Sequence, residues 1–429
     1  MNTWRIGSKW GKKDLINVFK KEKILFAGLE IQDKINTVKR GDIIAITNAK
    51  EIVGLAKAYR ISELSQINST YVEEYADVTA IIITDCFWKE DHKSFDFGIY
   101  GGQGKQFHQA RKEYHDLILD KYKELESMNK KKHLKKLFRS TKNLVLTGAP
   151  GTGKTFLAME LAADLIGCKR KDLIGDGTKR NQFAFVQFHP AYAYEDFVEG
   201  LKPKLDDETN GSISFELRKG IFSKFCELAK TDSENDYVFV IDEINRADLS
   251  RVFGELFFSL EPGYRGESGC VVTQYSSMYK KTECKHFFVP TNVFLIATMN
   301  DIDRSVESID FALRRRFAWY EVKADEILFR HVMSDLLIEN QQMKHDAERR
   351  YSALNNLIKT DPGLGESYCV GPAYFRKLVD YINDEQNVWD SFWSYNLEPL
   401  LKEYLRGSVA AETRLSAFKN AFSLVEIDE

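Results

Sequence analysis

The sequence predicts an α/β protein in which a parallel sheet with flanking helices follows a small β-barrel-like α+β domain and precedes a helical domain. Three observations carry this. Residues 143–323 alternate short apolar runs with helix-like stretches, the pattern of a parallel sheet covered by helices. Upstream, Asp42–Thr47, Ile52–Tyr59 and Val78–Thr84 are strand-like runs separated by turn signals. From about Glu326 onward, apolar residues recur at helical spacing with little strand character. The expected domains are therefore 1–107, 108–140, 141–325 and 326–429.

In the first domain, Lys13–Lys20 reads as one short amphipathic helix among strands. Residues 108–139 are rich in Lys and Glu, with Leu117, Leu119, Leu125 and Leu134 at helical spacing, and read as a helical connector. Its basic run, Lys130–Lys136, is either a solvated helix face or a phosphate-contacting patch. The 429 residues carry a net charge of −3, so nucleic-acid binding would have to come from a local patch. The six cysteines form no C-x-x-C pair and read as reduced thiols. Neither a signal peptide nor an 18-residue apolar run is present, which places the expected protein in the cytoplasm and off the membrane.

The chemistry begins after the apolar run Asn143–Thr147. Gly148-Ala149-Pro150-Gly151-Thr152-Gly153-Lys154-Thr155 is a phosphate loop, G-x-x-x-x-G-K-[ST], and helix-like Phe156–Ala162 follows it. Glycines let backbone N–H groups turn inward around phosphates, and the helix N-terminus adds its positive dipole end. Lys154 would reach the β- and γ-phosphates, and the Thr155 hydroxyl would coordinate Mg²⁺.

Some ninety residues on, the buried run Tyr237–Ile241 ends on Asp242 and Glu243. Two carboxylates at a strand's C-terminal end suit an Mg²⁺ ligand (Asp242) and a residue that polarises the attacking water (Glu243). A further strand, Asn292–Asn300, ends on a polar side chain at the sheet edge where ligands bind. Asn300 there either contacts the γ-phosphate or lytic water, or caps the next segment. Arg314, Arg315 and Arg316 follow within Phe311–Phe317. Three adjacent arginines suit phosphate recognition, and their place beyond the sheet's own phosphate site suits donation to a neighbouring subunit.

These four elements, in this order and with a helical lid behind them, resemble the AAA+ ATPase superfamily, whose members typically work as hexameric rings with intersubunit sites. The detail resembles the McrB family, the NTP-driven motor subunit of modification-dependent restriction systems. Val186–Gly200, Asp242–Ala247, Ala297–Ser305 and Ala312–Phe317 carry that likeness, with Val370–Phe375 as a weaker lid match. The resemblance implies a sensor role for Asn300, an interface signature at Asp303 and Arg304, and trans-acting roles for Arg315 and Arg316. It also implies GTP in preference to ATP, with Mg²⁺, and a partner nuclease resembling McrC, since the chain shows no nuclease pattern of its own.

Other segments leave two readings open. Tyr192, Tyr194 and Phe197 are either core aromatics or part of an insert, implied by the resemblance, ahead of the second core helix and facing the ring interior or a partner. His189 lacks a second ligand at i+4, so zinc is not expected. Residues 263–289 read as a β-hairpin that contacts a partner or merely extends the sheet. At the front, Gly41–Ile46 and Ile52–Ala58 resemble EVE/PUA-like domains, relatives of modified-base readers. A flipped base needs aromatic walls, for which Trp4, Trp10, Phe87, Trp88 and Tyr100 are candidates. Lys9, Lys12, Lys13, Lys39 and Arg40 are candidates for phosphate contacts. The leading expectation is thus a restriction or defence motor that reads duplex DNA bearing a modified base. The competing expectations are a MoxR-type chaperone that remodels protein partners and a nucleotide-gated scaffold without turnover.

Overall fold

The computed structural model describes residues 1–10, 13–26, 32–48, 51–63, 78–92, 107–110, 112–175, 179–206, 212–279, 286–300, 302, 311–324, 326–336, 340–382 and 388–424. The chain forms two compact units, Met1–His133 and Leu134–Glu429, whose boundary falls within the helix Lys112–Thr141.

The first unit is built on a six-stranded mixed sheet. Its order is Ile24–Phe26, Thr79–Trp88, Glu51–Glu63, Ile43–Asn48, Thr3–Gly7 and Phe107–Gln109. Only Thr3–Gly7 and Ile43–Asn48 run parallel. Side chains alternate across a strand, and here both faces are covered. Ile44 and Ile46 join Phe19, Phe26 and Trp88 in one core, whereas Ile43 and Ala45 join Phe87, Tyr122 and Leu125 in another. Double burial explains why this strand reads as a continuous apolar run. Register shifts between Glu51–Glu63 and Thr79–Trp88 bend the pair. Among the described residues the two outer strands do not pair with each other.

The expected short helix runs from Ile16 to Glu22, three residues later than its sequence signal, with the Asp14 carboxylate accepting from the Ile16 N–H at 3.1 Å. Trp4, Phe87 and Trp88 are buried, so these three aromatics belong to the cores. The Trp4 indole donates to Asp42 at 2.9 Å. The Trp10 side chain and Tyr100 lie outside the described residues, as does Lys12.

The second unit holds the parallel sheet, in the order Phe183–Gln187, Tyr237–Asp242, Val293–Thr298, Asn143–Thr147, Ala318–Glu321. Again both faces are packed. Phe239, Ile241, Leu295 and Val145 face one core, and Val238, Val240, Phe294, Leu144 and Leu146 face the other against the helix Lys154–Ile166. Phe188, Tyr194 and Phe197 are buried in the first of these, and Phe197 stacks on Phe222 with ring centroids 4.7 Å apart. The aromatics of this segment are therefore core residues.

Ahead of the helix Ile221–Thr231 the chain forms an antiparallel hairpin of Glu199–Asp206 and Ser212–Lys219, which follows the Tyr192–Phe197 segment. Among the described residues of 263–289, expected as a hairpin, Val271–Val272 pairs antiparallel with His286–Phe287, and three short 3₁₀ turns flank that ladder. A buried arginine organises this region. Arg265 donates to the carbonyls of Leu260 and Val293 at 3.2 and 3.4 Å and to the Asn143 side chain. Burial lowers its pKa to about 10.

The lid comprises Glu326–Leu336, Gln341–Thr360, Val388–Phe392, Glu398–Tyr404 and Ala411–Ser423 around Phe329, Tyr351, Phe375 and Trp393. Among the described residues no helix is long and apolar enough to cross a membrane.

Candidate active site

Register brings the site together. Ile241 pairs with Ala297, and Thr298 with Leu146, so the C-terminal ends of three adjacent parallel strands lie at one edge. The turn after Asn143–Thr147 leaves this edge through Gly148, whose φ of +138° and missing side chain are both required: a Cβ there would stand 2.4 Å from the Val322 carbonyl oxygen.

Lys154 is 8% exposed, folded back into its own loop. Its Nζ donates to the carbonyls of Gly148 and Ala149, both at 2.8 Å, and to Asn300 Oδ1 at 2.6 Å. Asn300 Nδ2 donates to Glu243 Oε1 at 2.6 Å, and Arg246 Nε to Glu243 Oε2 at 3.2 Å. The loop cation, the polar strand end and the second carboxylate thus form one connected row.

A parallel row runs through Asp242. The Thr155 hydroxyl donates to Asp242 Oδ1 at 3.0 Å, and the Thr298 hydroxyl does so at 2.6 Å. Thr298 Oγ1 also accepts from the Glu243 N–H at 3.2 Å. Glu243 itself has φ 53° and ψ 49°. A left-handed conformation costs a non-glycine residue roughly 1–2 kcal/mol, and at active sites such strain is held by surrounding contacts. Here the Thr298 bond holds the turn that separates the two carboxylates.

Thr155 and Asp242 offer oxygen donors only, a hydroxyl beside a carboxylate, which fits a hard divalent cation such as Mg²⁺. A neutral-nitrogen or thiolate site for a softer metal is not assembled among the described residues.

The arginines part company. Arg315 is exposed, 3.9 Å from Glu261. The Arg316 side chain is only 9% exposed, 3.8 Å from Glu261 and over the Phe257 ring, and its carbonyl accepts from Asn143 at 2.9 Å. Asp303 and Arg304 lie outside the described residues.

Sequence reasoning gave no role to Thr298, Arg246, Asn245 or the lid. Arg246 had a signal in its i+3 spacing from Glu243, and Thr298 in being a hydroxyl at the buried end of a strand. Asn245, which donates to the Asn300 carbonyl at 3.2 Å, had its place beside the carboxylates.

The lid contact is closer than sequence could indicate. Gly371 packs against the phosphate loop so tightly that a Cβ would lie 2.1 Å from the Gly151 carbonyl carbon. The Ala373 N–H donates to the Gly151 carbonyl at 3.0 Å, and the Tyr374 ring lies against Gly151. Asn355, on the helix Gln341–Thr360, holds Val370 on both sides: it donates to the Val370 carbonyl at 3.1 Å and accepts from its N–H at 2.7 Å. The neighbouring Cys369 thiol is buried and pushed up to about 11 by that burial, consistent with packing alone.

With this geometry in place, comparisons with known proteins locate the chain among its relatives. Residues 143–317 match the AAA domain of the dynein-related subfamily, and residues 346–411 match the McrB alpha-helical lid domain. The chain is 36% identical over 266 residues to the type IV methyl-directed restriction enzyme EcoKMcrB subunit of Escherichia coli K12, covering 61% of this chain and 54% of that protein. It therefore spans about half the length of that relative. It is 25% identical over 347 residues to the type II restriction enzyme BsuMI component YdiS of Bacillus subtilis 168, covering 74% of this chain and 93% of that one. Among solved structures, NtrX from Brucella abortus in complex with ATP aligns with a TM-score of 0.33 and 10% identity, over 68% of this chain and 62% of that one.

Proposed function

We propose that this chain, whose residues 143–317 and 346–411 match an AAA domain and a McrB lid domain, is a McrB-like AAA+ NTPase and the nucleotide-driven motor of a modification-dependent DNA restriction system. GTP is its preferred fuel, on the McrB-like signature formed by Met299, Asn300, Asp303 and Arg304. Residues 1–107 engage duplex DNA bearing a modified base, copies of the chain assemble into a hexameric ring in the cytoplasm, and a separate McrC-like nuclease subunit cuts.

The observation that supports hydrolysis best is the connected row Lys154–Asn300–Glu243. Phosphoryl transfer to water asks little covalent chemistry of a protein; positioning and charge placement do most of the catalysis. Lys154 supplies the cation within the phosphate loop. Thr155 and Asp242 would hold Mg²⁺, which neutralises charge on phosphate oxygens when bound. Glu243 orients the attacking water and takes its proton. Asn300 and Arg246 each hold one oxygen of that carboxylate, fixing its plane. Arg315, the exposed arginine, serves the site of a neighbouring subunit. Arg316 anchors the segment that presents it, and the family resemblance gives Asp303 and Arg304 an intersubunit role.

The restriction reading draws on the identity to the EcoKMcrB subunit and to the BsuMI component. It is tested by turnover with GTP and with ATP, in the presence and absence of methylated duplex DNA. Faster turnover with GTP and stimulation by the modified duplex are expected; indifference to every DNA would sink the proposal. Mixing Lys154→Ala and Arg315→Ala chains tests donation in trans. Partial recovery of activity in the mixture is expected, and failure at every ratio would count against it.

A further inference from the structure

Phe311 is 85% exposed at the start of the short helix Phe311–Arg314. The Arg315 N–H donates to the Phe311 carbonyl at 3.3 Å, a helical i,i+4 bond. Residues so spaced share one face of the turn, about one helical pitch, or roughly 5 Å, apart. An almost fully exposed phenylalanine therefore flanks the exposed arginine on its own face.

Elsewhere in the same unit lies a cleft of about 500 Å³ lined by Thr155, Phe156, Met159, Glu160, Arg170, Lys171 and Ile174. Phe156 is 48% and Ile174 56% exposed, and the Arg170 guanidinium lies 4.4 Å from the centre of the Phe156 ring. Large apolar side chains left open beside polar ones mark an interaction surface. One of the lining residues, Thr155, also donates to Asp242.

We propose that Phe311 of one copy inserts into the Phe156–Met159–Ile174 cleft of the next and thereby sets Arg315 at that neighbour's phosphate site. The inference rests on the ring reading above and adds the contact that positions the arginine. The occupant is a second copy because the chain itself supplies both halves: an exposed aromatic knob and an apolar cleft. The shared face supplies the geometry. Thr155 lines the cleft and also bonds Asp242, so a ring seated there lies beside the phosphate site with Arg315 one turn away. Glu160 offsets part of the positive charge that Arg170, Lys171, Arg314 and Arg315 bring to the joint, and phosphate charge offsets the rest, so docking is coupled to nucleotide.

The test replaces Phe311 in the full chain with the photoreactive p-benzoylphenylalanine. Isotope-labelled and unlabelled chains are mixed, with Mg²⁺ and a slowly hydrolysed GTP analogue, then irradiated. Adducts joining residue 311 of one isotopic chain to residues 156–174 of the other are expected. Adducts confined to one chain, adducts elsewhere on the neighbour, or none from assembled rings would overturn the proposal. Separately, Phe311→Ala and Ile174→Asp should each raise the protein concentration for half-maximal turnover roughly ten- to hundredfold, as losing one buried phenylalanine contact predicts. Phe311→Leu should keep most of the effect, and equal behaviour of all three variants with wild type would also overturn the contact. If Lys154→Ala and Arg315→Ala chains complement each other while adducts map elsewhere, the docking contact alone fails. If they do not complement and no assembly sediments, the ring reading fails with it.

Discussion

At the scale of single residues, the site separates binding from turnover. Glu243 is held by Asn300 and Arg246, while Lys154 sits within the phosphate loop. Glu243→Gln should therefore retain nucleotide affinity while turnover falls by roughly 10²–10⁴, the range of a lost general base; persistent hydrolysis would remove its assigned role. Thr298 acts one step back, bonding both Asp242 and the Glu243 N–H. Thr298→Val leaves the Glu243 N–H without this partner and Asp242 with the Thr155 hydroxyl, a loss of about 1–3 kcal/mol. If it falls on the transition state, kcat drops about tenfold with nucleotide Kd unchanged, and a change in Kd alone would refute this. Both carboxylates, Asn300 and the loop lysine were legible in sequence because each sits at the polar end of an apolar run. Thr298 looked like one more strand residue. Arg316 looked equivalent to Arg315, and only packing against Phe257 tells them apart.

At the scale of elements, the strands were legible wherever apolar runs ended on polar residues. The lid's approach to the phosphate loop was not, because two backbones in contact leave no side-chain pattern. Gly371→Ala tests it. Its Cβ would collide with Gly151, so the lid segment or the loop must shift. A rise in KM of tenfold or more is expected, and unchanged kinetics would show the contact to be incidental. The lid also carries a pH-dependent tie. Asp361 is pushed up by burial, but hydrogen bonds from Arg414 and from the backbone of Gly363 and Leu364 outweigh this and hold it below 3.8. A depressed carboxylate contributes stability above its unfolded pKa and loses it as pH falls through the folded value. The gap in denaturation midpoint between wild type and Asp361→Asn should thus be full at neutral pH and close below pH 3.8. The hairpin expected at residues 263–289 pairs over two residues a side among the described residues, Val271–Val272 with His286–Phe287, and Arg265 gathers carbonyls from Leu260 and Val293 beside it.

For the whole molecule, a net charge of −3 means that binding DNA must overcome background repulsion through few phosphate contacts. Lys39 and Arg40 are exposed on the first unit, with Arg40 stacked 4.9 Å from the Tyr59 ring. Lys39→Gln and Arg40→Gln should each lower the slope of log K against log salt by about one for duplex DNA, and an unchanged slope would place the contacts elsewhere. The first unit was the least legible part of the chain, since Trp4, Phe87 and Trp88 proved to be core residues and a pocket needs geometry that no short motif encodes. The lid-to-loop contact has one more consequence. Its directed part is a single main-chain bond, Ala373 to Gly151, worth about 1 kcal/mol, or less than twice the thermal energy. A bond that weak leaves the seating of the lid to the surfaces around it, Gly371 and Tyr374 against Gly151, and to the Lys323–Glu366 pair at 2.6 Å, so the lid closes by fit and not by a bonded hinge.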